Sequence, residues 1–208
     1  MARFTNQAQL RYGNAVTNSN IAVGEILEVL SATKTAVRNT YGQSDTVTYI
    51  VSIVNSGTTP ITGISVTDNL GEYTFGTTTL VPLTYIDGTV KYYVNGVLQP
   101  SAVVTAGPPL VVSGITVPAG GSVTVAYEAA VNEFAPLDTT SVINNTAIVA
   151  GTGITPITAE EEITVESTPV LTITKSVSPV PVTETGTLTY TFLIQNSGNV
   201  AACLLYTS

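Results

Sequence analysis

The segment KTAVRNTYGQSDTVTYIVSIVNSG, residues 34–57, has a second copy further along the chain: KSVSPVPVTETGTLTYTFLIQNSG, residues 175–198. One spacing of 141 positions aligns the two lysines, the two Thr-Tyr pairs and the two Asn-Ser-Gly triplets without a gap. Self-similarity at a fixed period marks tandem structural units. We therefore predict two copies of one unit, the second of them incomplete.

Short alternating runs of β-branched residues, separated by turn residues, fill the first copy. We predict strands at residues 47–54, 61–67, 91–94, 122–132 and 143–150. Asp87-Gly88 and Asn95-Gly96 supply the positive φ angles that tight hairpin turns require. Sustained helical periodicity is absent from the sequence. The pattern predicts an all-β sandwich with Greek-key connections.

The chain divides into four predicted segments. Residues 1–26 resemble the closing strands of a unit, because Asn6-Gln7-Ala8-Gln9-Leu10 echoes Asn145-Thr146-Ala147-Ile148-Val149. Residues 27–167 form a complete repeat, and residues 168–202 begin a second, truncated one. Residues 203–208 do not continue the repeat, and we set them aside as a non-native tail together with the single Cys203.

Composition excludes several classes of function. The chain of 208 residues has a net charge of −8 and only six basic residues. We therefore expect that it does not bind nucleic acid and does not insert into a membrane. Histidine is absent, which removes the commonest general base and metal ligand. We expect no cofactor, no metal site and no enzymatic turnover. A signal peptide is not visible at the N-terminus.

Several motifs resemble the conserved repeat of bacterial surface proteins known as domain of unknown function eleven. The resemblance covers residues 28–166 fully and residues 171–202 in part, and Gly71 replaces a proline of the family pattern. The matching positions are Lys34, Thr48-Tyr49, Asn55-Ser56-Gly57, Val66-Thr67-Asp68-Asn69-Leu70, Val117-Pro118-Ala119-Gly120-Gly121-Ser122-Val123 and Asn145-Thr146-Ala147. The resemblance implies an immunoglobulin-like sandwich in an extracellular or cell-surface bacterial protein.

Strand alternation directs three polar residues toward the core. Lys34, Asp68 and Asn145 each share parity with apolar neighbours two positions away, and Lys175 occupies the position of Lys34 in the second copy. Lysine is almost never buried without a partner. Surface domains of similar architecture join Lys to Asn by an internal isopeptide bond that a carboxyl group promotes, and these three residues resemble that arrangement with Asp68 as proton donor.

Other interpretations of these polar residues remain open. An ordinary buried Lys34–Asp68 ion pair, with Asn145 as a hydrogen-bond partner, needs no reaction. Asn144 is an alternative acceptor, although its parity predicts an outward side chain. The run Glu160-Glu161-Glu162 is expected to be a solvated acidic loop rather than a calcium site.

We consider two functions from different classes. The first is a structural spacer repeat of a surface fibre, in contact with neighbouring repeats. The alternative is an adhesive module that binds a surface ligand or glycan through loops or the hairpins of residues 85–100, where Tyr92 and Tyr93 could form an aromatic ledge. Strand addition by residues 6–10 could also link copies of the chain into a head-to-tail fibre.

Overall fold

Strands and the turns between them make up the folded chain. The structure, a computed structural model, describes residues 2–26, 29–100 and 102–202, so the predicted tail of residues 203–208 lies outside it. Within these ranges, no helix is long and apolar enough to cross a bilayer. The prediction of an all-β fold is confirmed.

Twenty strands are assigned among the described residues. They are β1 (Ala2–Asn6), β2 (Gln9–Tyr12), β3 (Ala15–Asn18), β4 (Ala22–Ile26), β5 (Leu30–Ala36), β6 (Thr40–Tyr41), β7 (Thr46–Asn55), β8 (Ile61–Asp68), β9 (Tyr73–Phe75), β10 (Thr78–Leu80), β11 (Leu83–Tyr85), β12 (Lys91–Val94), β13 (Val97–Leu98), β14 (Val103–Thr105), β15 (Leu110–Val117), β16 (Ser122–Val131), β17 (Val142–Ala150), β18 (Ile157–Val165), β19 (Leu171–Ser178) and β20 (Thr189–Asn196).

Two six-stranded sheets form the sandwich. Sheet I has the order β13-β12-β16-β7-β5, and β11 also pairs with β16. Sheet II has the order β14-β15-β8-β17-β18-β6. Neighbours such as β7 and β16, or β8 and β17, are far apart in sequence, so long connections cross between the sheets. The immunoglobulin-like sandwich is therefore built from non-local strand pairs.

The core lies between the inner faces of the two sheets. Strands β7 and β16 alternate buried and less buried residues along almost their whole length, as the period of a half-buried strand requires. Sheet II contributes the inner faces of β8, β15 and β17. Fully buried large side chains include Tyr49, Tyr127, Ile53, Ile64, Leu110, Ile115 and Ile143.

The predicted strands agree with the structure to within one residue at each end. The Asn95-Gly96 hairpin is also present, with φ of 49° and 79° between β12 and β13. Asp87-Gly88 instead connects two strands that both pair with β16, so it forms a turn but not a hairpin. The acidic loop was predicted wrongly, because Glu160, Glu161 and Glu162 lie in β18 and pair with β17.

The two copies of the repeated segment adopt the same hairpin. Lys34 pairs with Val51 in β5–β7, and Leu30 faces Asn55, just as Leu171 faces Asn196 in β19–β20. The Asn55 side chain donates to Thr59 O at 2.8 Å and accepts from Gly57 N. Equivalent bonds join Asn196 to Val200 O at 2.7 Å and to Gly198 N. The Asn-Ser-Gly motif is therefore a turn in which an asparagine side chain replaces backbone hydrogen-bond partners.

The N-terminal strands pair with one another. Strand β1 pairs with β4, and β2 with β3, so that Asn6 faces Ala22 and Leu10 faces Thr17. The segment of residues 6–10, considered above as a strand donor, thus has a partner strand on one edge within its own chain.

Candidate functional site

A cluster of buried polar side chains spans the interior of the sandwich. Lys34, Asp68 and Asn145 are all at most 4% exposed, as the strand alternation predicts. Lys34 enters from β5 of sheet I, whereas Asp68 and Asn145 enter from β8 and β17 of sheet II. Asp68 faces Ala147 in the register of these two strands, which puts Asn145 one inward position away. The cluster therefore joins the two sheets.

Lys34 and Asp68 form a buried ion pair. The Lys34 ammonium donates to Asp68 Oδ2 at 2.6 Å, and neither side chain is more than 1% exposed. The Lys34 nitrogen also lies 4.9 Å from the centre of the Tyr49 ring, within the range of a cation–π contact. Burial, only partly offset by the attraction of Asp68 and Glu161, lowers the pKa of Lys34 to about 8. The amine is thus closer to its neutral, nucleophilic form than an exposed lysine.

Tyr127 connects this ion pair to Asn145. The Tyr127 hydroxyl donates to Asp68 Oδ2 at 2.5 Å and accepts from Asn145 Nδ2 at 3.2 Å. Burial raises the pKa of the Tyr127 phenol well above its ordinary value, so the hydroxyl keeps its proton at neutral pH. A continuous chain of hydrogen bonds therefore runs from Lys34 through Asp68 and Tyr127 to Asn145.

A strained turn after β8 holds the carbonyl end of Asn145. Leu70 is fully buried with φ of 55°, a region that bulky side chains rarely adopt. Its backbone N–H is satisfied by Asp68 Oδ1 at 3.0 Å. The N–H of the next residue, Gly71, is shared between Asn69 Oδ1 at 3.0 Å and Asn145 Oδ1 at 3.2 Å. Backbone strain of this kind persists where the surroundings enforce it, and here it aims a donor at a side-chain carbonyl.

The backbone at Gly71 accommodates neither proline nor a residue with a Cβ. Its φ of 75° lies outside the range of proline, and a Cβ there would lie 2.6 Å from Ile143 Cγ2. A glycine is therefore required to bring the backbone against β17.

Asn144 and Glu161 lie differently around the cluster. Asn144 is exposed, which removes it as an acceptor inside the sandwich. Glu161 faces Asn145 in the β17–β18 register and is half-buried on the same side of its strand as Ala159 and Ile163. It contributes to the electrostatic environment of Lys34.

Tyr49, Tyr127 and Glu161 were not predicted from the sequence to belong to this cluster. Tyr127 shares parity with Val125 and Ala129, and Glu161 shares it with Ala159. The strand alternation that predicted an inward Lys34 therefore also predicts inward side chains at these two positions. Tyrosines are common in sheets, however, and the interpretation of residues 160–162 as a loop hid the inward position of Glu161.

The tyrosines expected to form an adhesive ledge are separated. Tyr92 and Tyr93 are consecutive in β12, and successive side chains of a strand point to opposite faces. The Tyr92 ring packs against the core, and its hydroxyl lies 3.4 Å from both the N and the O of Thr116. The two rings therefore do not form one exposed surface.

Lys175 has a different environment from Lys34. Strand β19 is exposed along its whole length, and the Lys175 nitrogen lies 4.6 Å from the centre of the Tyr190 ring. The stacking partner of Lys34 is likewise the tyrosine of the Thr-Tyr pair. The hairpin alone positions lysine over tyrosine, but only a second sheet buries it.

Asn199 contacts residues on the other side of the predicted boundary between the two units. Its side chain donates to Leu137 O at 3.1 Å and to Glu166 O at 3.0 Å, and it accepts from Thr168 N at 3.2 Å. One asparagine therefore bridges the segments on both sides of the predicted boundary near Ser167.

Solved structures with similar folds include bacterial pilins. A variant of the major pilin subunit of Bacillus cereus has a TM-score of 0.52 at 9% identity, over 95% of this chain and 64% of that one. The full-length major pilin SpaD of Corynebacterium diphtheriae has a TM-score of 0.49 at 15% identity, over 76% and 39%. The pilus backbone protein of Streptococcus pneumoniae has 0.46 at 14%, over 58% and 31%.

The chain spans less than two thirds of the length of each of these pilins. At such low sequence identities the similarity shows the fold alone. That conclusion rests on the Bacillus cereus subunit, whose TM-score is 0.52. No family model and no curated protein sequence matches the chain.

Proposed function

We propose that this chain is a structural spacer repeat of a bacterial surface fibre, and that an isopeptide bond between Lys34 and Asn145 closes its complete unit. The observation that carries the proposal is the buried cluster, in which a lysine of lowered pKa shares a carboxylate with the hydroxyl that contacts an asparagine amide. The pilin-like sandwich and the repeated hairpin support a structural role.

The proposed reaction uses the chain's own residues once, without turnover. Lys34 Nζ transfers a proton to Asp68 and attacks Asn145 Cγ, the Cγ–Nδ2 bond breaks, and ammonia leaves. The Gly71 N–H stabilises the negative charge that develops on Asn145 Oδ1, as the donor of an oxyanion hole does. Asp68 retains one proton at the end, so no unpaired charge remains buried.

Such a bond would strengthen the unit against pulling. It links β5, the first strand of the sandwich, to β17, close to its end. Tension applied through the termini would then pass from Lys34 directly to Asn145 and bypass residues 35–144. A covalent link of this type also restricts the unfolded chain, an effect of roughly 2–4 kcal/mol if disulfide values transfer.

We further propose that residues 27–167 and 168–202 are consecutive repeats related to domain of unknown function eleven, which places the intact protein on the cell surface or outside the cell. The equivalent Asn55 and Asn196 turns support the repeat, and the Asn199 bridge supports direct contact between neighbouring units. Head-to-tail linkage of separate copies would have to use the outer edges of the N-terminal hairpins, since their inner edges are paired.

Intact mass spectrometry of the full chain tests the bond. We expect the folded chain to lack the mass of one ammonia, and a digest to contain a branched peptide joining Lys34 to Asn145. Lys34→Met, which keeps the side chain long, and Asn145→Ala should both have full mass. Full mass in the unsubstituted chain would leave an ordinary buried ion pair and would overturn the proposed reaction.

Adhesion has weaker support. The ledge of Tyr92 and Tyr93 was its main sequence argument, and these rings lie on opposite faces of β12.

A further inference from the structure

We propose that Tyr127 is a catalytic residue of bond formation, which carries the proton of the Lys34–Asp68 pair to the nitrogen that leaves Asn145. This inference rests on the proposed isopeptide bond. From the sequence, the reaction was expected to need only a lysine, a carboxyl group and an asparagine. Tyr127 adds a second proton carrier to these groups.

The position of the Tyr127 hydroxyl carries the argument. The hydroxyl lies 2.5 Å from Asp68 Oδ2 and 3.2 Å from Asn145 Nδ2. Lys34 occupies the same carboxylate oxygen at 2.6 Å. The proton that Asp68 receives from Lys34 therefore arrives beside Tyr127. Among the described residues, the Tyr127 hydroxyl is the group that connects Asp68 to the leaving nitrogen of Asn145 by hydrogen bonds.

The orientation of the Asn145 amide makes Tyr127 face the leaving nitrogen. The Gly71 N–H donates to Oδ1, so the opposite end of the amide, Nδ2, must point to Tyr127. Rotating the amide would place an N–H against the Gly71 N–H and lose both bonds. The strained turn thus fixes which atom of Asn145 the relay reaches.

The protons balance through the relay. At the start Lys34 holds three protons and Asp68 none. Lys34 gives one proton to Asp68, the neutral amine attacks Asn145 Cγ, and the nitrogen Nδ2 becomes pyramidal and basic. Tyr127 then donates its proton to Nδ2 and receives one from Asp68, ammonia departs, and Asp68 is protonated again by the second proton that Lys34 Nζ loses. The products are an amide with one N–H, neutral ammonia, a protonated Asp68 and an unchanged Tyr127.

Tyr49 provides a matched control for Tyr127. The two rings stack with centroids 5.7 Å apart, face each other in the β7–β16 register, and are both buried. Among the described residues, however, the Tyr49 hydroxyl has no hydrogen-bond partner. Tyr→Phe substitution removes one buried oxygen at either position. The Tyr49 hydroxyl lies close enough to Asn145 to affect the pKa of Tyr49. Only the Tyr127 hydroxyl bonds both Asp68 and Asn145, so only Tyr127→Phe interrupts the path between them.

The test measures how fast the bond forms. Full chains purified from inclusion bodies in denaturant, where the site is not assembled, are diluted into buffer, and the loss of ammonia is followed by intact mass. We expect Tyr127→Phe to slow closure by about 100-fold, the usual effect of losing one general acid, and Tyr49→Phe to close within about threefold of the unsubstituted rate. Near-UV circular dichroism reports whether each variant has folded.

The possible outcomes separate the two proposals. If the unsubstituted chain and Tyr127→Phe close at the same rate, the relay is overturned and the isopeptide bond stands. If the unsubstituted chain never closes, both are overturned.

A second measurement needs no variant and therefore does not depend on the folding of Tyr127→Phe. The closure rate of the unsubstituted chain in mixtures of light and heavy water should curve with deuterium content, because Asp68 and Tyr127 transfer two protons together. A linear or flat dependence would overturn the relay.

Discussion

At the scale of single residues, the site is defined by how a few polar groups satisfy one another away from water. Lys34 and the Tyr127 hydroxyl both donate hydrogen bonds to Asp68 Oδ2. An unpaired buried charge would cost several kcal/mol, so these groups must keep their partners or react. The ordinary ion pair and the isopeptide bond are two ways to meet the same requirement.

The pH dependence of closure follows from the Lys34 pKa. In the proposed reaction, the Lys34–Asp68 pair must hold one proton, and this proton finally leaves with ammonia. Since the pKa of Lys34 is about 8, the pair keeps that proton at lower pH and loses it as the pH rises through this value. We expect the closure rate to be constant immediately below this pKa and to fall as the pH rises above it.

The measurement is the refolding time course, followed by intact mass in a series of buffers. The other titratable groups that face Lys34 are Glu161 from β18 and the phenols of Tyr49 and Tyr127. Burial raises the pKa of both phenols well above the ordinary value, so they stay protonated across this range. A rate that rises continuously with pH, as for a free amine without a proton donor, would contradict the prediction.

At the scale of secondary-structure elements, the turn that follows β8 decides whether the site can form. Residues 69–71 leave the strand. The side chain of Asn69 holds them to β17, because it accepts from Gly71 N at 3.0 Å and from Thr146 N at 2.9 Å. The two central strands of sheet II are thus connected by a side chain as well as by their ladder. This turn is what brings the Gly71 N–H to Asn145.

Substitution of Gly71 should destabilise the unit more than its backbone angle alone predicts. Gly71 and Gly88 both have φ of 75°, but a Cβ at Gly71 would clash with Ile143, whereas a Cβ at Gly88 would meet nothing within 4 Å. We expect Gly88→Ala to lower the free energy of unfolding by about 1–2 kcal/mol. Gly71→Ala should cost roughly a further 1–3 kcal/mol from overpacking.

Urea denaturation of the two variants and the unsubstituted chain measures the difference. Equal losses of unfolding free energy for Gly71→Ala and Gly88→Ala would contradict the prediction. They would show that β17 can move away from the turn to make room for a Cβ at position 71.

At the scale of the whole molecule, the cluster links the first sandwich strand to one of the last, so the proposed bond would determine the path of force. A closed bond shields residues 35–144 from tension applied at the termini. Asn145→Ala would remove the proposed bond, whereas Asn144→Ala, at an exposed position, would leave it in place and serves as the matched control.

Single-molecule pulling from both termini measures the released length. Residues 35–144 would extend by roughly 370 Å at about 3.4 Å per residue. We expect the Asn145→Ala chain to release about that much more length on unfolding than the unsubstituted chain or Asn144→Ala. Equal lengths for all three chains would rule out a load-bearing bond.

The sequence alone was sufficient for the repeat, the principal strands and the inward direction of Lys34, Asp68 and Asn145. These properties are local: side chains alternate with a period of two, and the Asn95-Gly96 turn depends on two residues. The same alternation was not applied to β18, because three consecutive glutamates suggested a solvated loop. In the structure every second residue there is buried or half-buried, and the strand pairs with β17.

Tertiary structure alone decided which of the inward groups meet. Lys34, Asp68, Tyr127 and Asn145 lie on four strands from two sheets, and their relative heights depend on strand register and on the packing of one sheet against the other. Alternation along a strand specifies a direction but not a partner across the core. The role of Tyr127 between carboxylate and amide, and the positive φ of Leu70 that turns Gly71 toward Asn145, therefore emerge only when the two sheets are packed together.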